Sequence, residues 1–146
     1  MTNTTYRTDF YAWTQEQVAL LEAEEWEKLD TQNIKEEIES MGISQRSALT
    51  SRLKVLLMHL LKWRYQPEKN YGNSWRNTIE DQRFEIEVLL RASPSLRRAV
   101  PEEIAYVYPK ARKKATIETG LPLATFPTDC PWTMEEILDE DWLPES

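Results

Sequence analysis

The chain has 146 residues, is 40% hydrophobic and 29% charged, and carries a formal charge of −7. A chain of this length suits one domain and hides roughly 68–70% of its unfolded surface, so it can build a core without disulfides or metal. Its single cysteine, Cys130, excludes an intrachain disulfide and points to a reducing compartment. It has no apolar leader and no run of the roughly 18–20 apolar residues that span a bilayer, which reads as a soluble cytoplasmic protein with no membrane partner.

The charge is unevenly placed. Residues 1–128 hold 18 acidic and 18 basic side chains. The excess lies in Asp129, Glu135, Glu136, Asp139, Glu140, Asp141 and Glu145, with no Lys or Arg among them. Such a segment repels nucleic acid and suits a basic surface.

The first predicted helix runs from about Phe10 to Glu24, with Asp9 as N-cap and Phe10, Trp13, Val18, Leu20 and Leu21 on one broad apolar face. Trp26 and Leu29 bridge to a second helix, capped by Asp30, with Ile34, Ile38 and Met41 as its stripe and Gly42 as its stop. Ser44 is read as the start of a third helix that lasts to Tyr65 and ends at Pro67. Its Leu49, Leu53, Leu56, Leu60 and Trp63 follow the 4–3–4–3 spacing of a bundle seam. Leu57, Leu61, Val55 and Met58 make its middle apolar nearly all round, as expected of a central helix. A fourth helix starts at Asn73 or Ser74, repeats the spacing in Trp75, Ile79, Gln82, Ile86 and Leu89, and fades before Pro94. A fifth begins at Pro101 and ends at Gly120 and Pro122, with Ile104, Val107, Ala111 and Ala115 as its stripe. Pro109 predicts a kink or break inside it, because proline removes a hydrogen bond and crowds the carbonyl of Ala105.

From about residue 121 the segment is proline-rich and acidic. Thr133 and Glu136 form a capping box before a short helix. Phe126, Trp132, Ile137, Leu138, Trp142 and Leu143 are the expected anchors of this segment. The expectation is an all-α fold: one domain over 1–146, an up-down bundle of four long helices with a kinked fifth and a short C-terminal helix.

The segments DFYAW (9–13), EEIESMG (36–42), SRLKVLLMHLLKWRYQP (51–67), SW (74–75), ETGLP (118–122), FP (126–127) and CPW (130–132) occur in this order. Together they resemble the domain-of-unknown-function-29 family, small bacterial proteins abundant in cyanobacteria, over nearly the whole chain from about Asp9 to Pro144. The resemblance implies a helical bundle. It implies no established activity and carries over no catalytic residue. Pro109 is atypical, standing where such proteins continue a charged helix.

Candidate sites are few. His59, the only histidine, falls at the edge of the apolar face of the third helix, where it is either a general base or a hydrogen-bonded structural residue. Asp30, Asn33 and Glu37 form a polar stripe beside one seam, and Arg76 and Arg83 lie beside another. Opposed stripes of this kind make interhelical ion pairs, or a polar pocket in which Glu37, His59, Arg64 and Arg76 converge on a small anion. One His and one Cys exclude the usual zinc sets, and the residues before His59 are not the Glu-x-x-His of a di-iron bundle, so no metal and no cofactor is expected. A site of Glu36, Glu37, Glu39 and His59 is the weaker alternative. Cys130 lies among acidic residues, which weaken a thiol as a nucleophile.

Lys110, Arg112, Lys113 and Lys114 form the one basic cluster, read as a solvated face or as the dock for the acidic segment of the same chain or of another copy. Trp63, Tyr65, Tyr71 and Trp75 bracket the turn between two long helices, as staples of the hairpin or as a protein interface. The expected function is a non-enzymatic helical protein that binds a protein partner or forms a homo-oligomer, with no nucleic acid. The alternatives are a small-ligand or metal-dependent enzyme around Glu37, His59 and Arg64, and one component of a toxin–antitoxin-like regulatory pair.

Overall fold

In a computed structural model the described residues, 5–66 and 73–145, form six α-helices and no strand. These are α1 (Thr5–Thr8), α2 (Phe10–Glu22), α3 (Thr31–Tyr65), α4 (Asn73–Ala92), α5 (Val100–Thr119) and α6 (Met134–Leu138). Short 3-10 turns lie at Trp26–Lys28, Pro94–Ala99 and Leu123–Thr125. The fold is all-α. The chain divides into two units, one reaching to Ser44 and the other starting at Gln45.

Asp9 caps α2 as expected, accepting from the Ala12 N–H at 3.1 Å. The end of α2 is closed without glycine. Glu24 takes the left-handed conformation (φ 57°), while the N–H groups of Glu24 and Glu25 reach back to the carbonyls of Leu21 and Leu20. Among the described residues of the first unit, Trp13 is the one buried large apolar side chain. Its indole N–H donates to Asp30 at 2.9 Å, and the Gln17 side chain accepts from the Asp30 N–H at 2.9 Å. The Tyr6 ring meets Phe10 and Trp13 edge-on at 5.7 and 4.8 Å, and Phe10 stacks on Trp13 at 5.5 Å.

The predicted stop at Gly42 does not occur. The second and third predicted helices are one element, α3, of 35 residues. A glycine inside a helix costs only about 1 kcal/mol, and Gly42 lacks the left-handed conformation that ends a helix. Gly120 does adopt it (φ 75°) and closes α5, donating to the Thr116 carbonyl.

The second unit holds the main core. Leu49, Leu53, Leu56 and Leu60 of the predicted α3 seam are fully buried, as are Leu57 and Leu61. They meet Ile79 and Ile86 of α4 and Ile104, Val107, Ala111 and Ala115 of α5. α5 continues through Pro109 rather than breaking there. Pro109 and Ala105 are both exposed, so water can satisfy the carbonyl that the proline leaves without a donor. The segment after α5 closes the core as its anchors predict. Phe126 and Ile137 are buried in the core, and Trp132, Leu138, Trp142 and Leu143 pack against that core. α6 begins with the expected reciprocal capping box of Thr133 and Glu136.

The ion pairs between helices differ from those expected. Asp30, Asn33 and Glu37 make their bonds within the first unit, Arg76 pairs with Glu80 on its own helix at 3.5 Å, and Arg83 bonds backbone carbonyls. Among the described residues, α3 and α5 are joined by Arg46 with Glu103 at 2.9 Å and Glu102 at 3.1 Å and by Lys62 with Glu118 at 2.8 Å, and α3 and α4 by the longer, exposed pair of Arg52 and Glu85 at 4.0 Å. Thr50 adds a bond to Glu103 at 2.6 Å. Because of Thr50, and of Arg46 against the cost of burial, the Glu103 carboxyl titrates below its ordinary range.

Candidate functional site

Among the described residues, no hydrogen bond or ion pair links His59, Arg64 and Arg76 to one another. Glu37 lies in the first unit and accepts the Tyr6 hydroxyl, which raises that phenol to about 12. His59, Arg64 and Arg76 lie in the second unit and each has its own partner. The His59 Nδ1 is 2.9 Å from the Val55 carbonyl. A carbonyl only accepts, so Nδ1 carries the proton and Nε2 the lone pair. Burial first, then the charge of Lys62, holds the imidazole below its ordinary value, against the Val55 bond and Glu118. His59 is half-buried and bonded to a carbonyl rather than to a carboxylate. The Arg64 guanidinium lies 4.8 Å from the Tyr65 ring centre.

The aromatic group divides. Trp75 is buried, with the Lys62 ammonium 4.8 Å from its ring centre. Tyr65 sets its ring edge-on to Phe126 at 5.5 Å, and Trp63 packs half-buried on the core. Tyr71, like Pro67, lies outside the described residues. Burial, against a weaker bond to the Trp132 carbonyl at 3.6 Å, raises the Cys130 thiol, so it is a poor nucleophile. No group of three or more His, Cys, Asp or Glu among the described residues is placed to hold a metal ion. No helix among them is long and apolar enough to cross a membrane.

The basic cluster meets the C-terminal segment differently from the expected charge pairing. Arg112 donates to the backbone carbonyls of Leu123 at 3.1 Å and Phe126 at 3.0 Å. No ion pair joins the cluster to an acidic residue of that segment among the described residues.

Two surfaces stand out instead. In the first unit, Leu21, Leu29, Ile34 and Ile38 wall an open groove of about 500 Å³ flanked by Lys35 and Glu39. Of the predicted stripe, Ile38 and Met41 thus face solvent, 59% and 60% exposed, while Ile34 is half-buried. Periodicity identifies such a stripe but not what covers it. In the second unit, Arg83, Arg91 and Arg97 border a cavity of about 480 Å³. They come from α4 and the Pro94–Ala99 turn, with Leu138 of α6 opposite, so no single stretch of sequence signals the cavity.

Fold and contacts together define an all-α protein whose open features, among the described residues, include an apolar groove and an arginine-bordered cavity. The match to a family model places it further: residues 5–143 fit the family described as Domain of unknown function DUF29, and the chain belongs to that family. No curated protein and no solved structure shows a significant match.

Proposed function

We propose that the protein is a non-enzymatic helical interaction module that pairs with a second copy of itself through the apolar groove of its first unit. The observation that carries this reading is the open face formed by Leu21, Leu29, Ile34 and Ile38, in a unit whose described residues bury one large apolar side chain, Trp13. A helical hairpin with an uncovered apolar stripe is half of a four-helix arrangement, and a two-fold axis supplies the other half from an identical surface. Charge favours a second copy over an unrelated partner. Lys35 and Glu39 lie one turn apart on the groove, 3.8 Å from each other and exposed. Antiparallel pairing about an axis between them brings each copy's Lys35 toward its partner's Glu39. The half-buried thiol Cys130 accords with a reducing, cytoplasmic setting. The enzymatic alternative around Glu37, His59 and Arg64 draws no support from their separate contacts.

The test is sedimentation equilibrium of the purified protein and of Leu21→Asp and Ile38→Asp variants. The wild type is expected to dimerise in the micromolar range, and the variants to be monomers of unchanged helix content. A wild type that stays monomeric well above that range, or variants that still dimerise, would reject self-pairing through this face.

A further inference from the structure

We propose that the cavity bordered by Arg83, Arg91 and Arg97 binds a small organic monocarboxylate with an apolar body. Arg83 is only 5% exposed. Its Nε donates to the Ile137 carbonyl at 2.8 Å and a terminal nitrogen to the Glu136 carbonyl at 3.4 Å. These are the last carbonyls of α6, so the guanidinium is oriented by backbone, and no carboxylate forms an ion pair with it among the described residues. Asp139 and Glu80 act on it from further away. Arg91 and Arg97 are likewise without an ion pair among the described residues. Three cations thus border a space of about 480 Å³, within the ordinary range for small-ligand sites.

The remaining walls select the ligand. Leu90 and Leu138 are apolar, and suit a hydrocarbon or aromatic body. Glu87 and Glu140 also border the cavity, leaving a net charge of about +1 from the three arginines. One carboxylate neutralises that excess, whereas a phosphate dianion overshoots it and a zwitterionic amino acid leaves it uncancelled. A planar carboxylate also matches the paired donors of a guanidinium.

The test is calorimetric titration of the full chain with 3-phenylpropanoate, phenylalanine and inorganic phosphate. Saturable binding of 3-phenylpropanoate is expected, at least tenfold tighter than either comparison compound. Arg91→Ala combined with Arg97→Ala, both at exposed positions, is expected to weaken it tenfold or more at unchanged melting temperature. Absence of saturable binding, equal affinity for phenylalanine or phosphate, or full affinity in the double variant would each overturn the assignment. The cavity lies wholly within the second unit, so the dimerisation test and this one fail separately.

Discussion

Lys62, 6% exposed, donates to Glu118 at 2.8 Å between α3 and α5 while its ammonium lies 4.8 Å from the Trp75 ring centre. A buried ammonium is tolerated only with such partners. Removing the carboxylate leaves the charge inside, and removing the charge leaves a space that an unbranched apolar chain fills.

Glu118→Gln is therefore expected to lower stability by about 1–2 kcal/mol, less than for a fully buried pair because the Glu118 side chain is 42% exposed and water screens it. Lys62→Met is expected to change stability by under about 1 kcal/mol. Urea unfolding of both variants decides the matter, and a larger loss for Lys62→Met than for Glu118→Gln would contradict the reading.

The lowered value of His59 sets a pH dependence. Its neutral form is native, and the unfolded chain takes up a proton more readily. Stability is thus greatest above the unfolded value of about 6.5 and falls as pH drops from there toward the folded value. His59→Gln is expected to flatten that decline below about pH 6.5. Parallel stability profiles for the two proteins would exclude it.

Asp30 gives a second window. Burial raises its carboxyl, but bonds from Asn33 and Trp13 outweigh this and hold it below the ordinary value. The contribution is full above the unfolded value of about 3.9 and is lost as pH falls through the folded value. In an acid titration the Trp13 indole N–H resonance is expected to move with a midpoint below about 3.9, and in Asp30→Asn to lack that step.

Gln82 stands at a seam position of α4, and its Oε1 is buried with no hydrogen-bond partner among the described residues. An unsatisfied buried acceptor costs about 1–3 kcal/mol, so Gln82→Met is expected to raise stability by about 1 kcal/mol. The urea midpoint is the readout, with an unchanged slope showing that the unfolded state is not responsible.

The second unit was the more legible part. The α3 seam was readable because six leucines at helical spacing have no other use, and the Thr133–Glu136 box because both halves of a cap lie three residues apart. Gly42 misleads, since glycine marks a helix end only in the left-handed conformation, which spacing does not report. Ile34, Ile38 and Met41 have the period of a core stripe, yet Ile38 and Met41 are exposed and Ile34 only half-buried, because period fixes which residues share a face and not what covers them. Arg83 was readable as a seam-side cation. Its partners are carbonyls at the end of α6, a pairing that leaves no trace in residue types.

The closing of the core by Phe126 and Ile137 has a consequence during synthesis. Ile137 follows Leu61 by 76 residues, which at roughly 5–20 residues per second separates them by several seconds. Through that interval the leucine-rich face of α3 lacks the two side chains that finally seal it. The nascent chain thus presents an apolar surface to chaperones for much longer than a helical bundle built of neighbouring hairpins would.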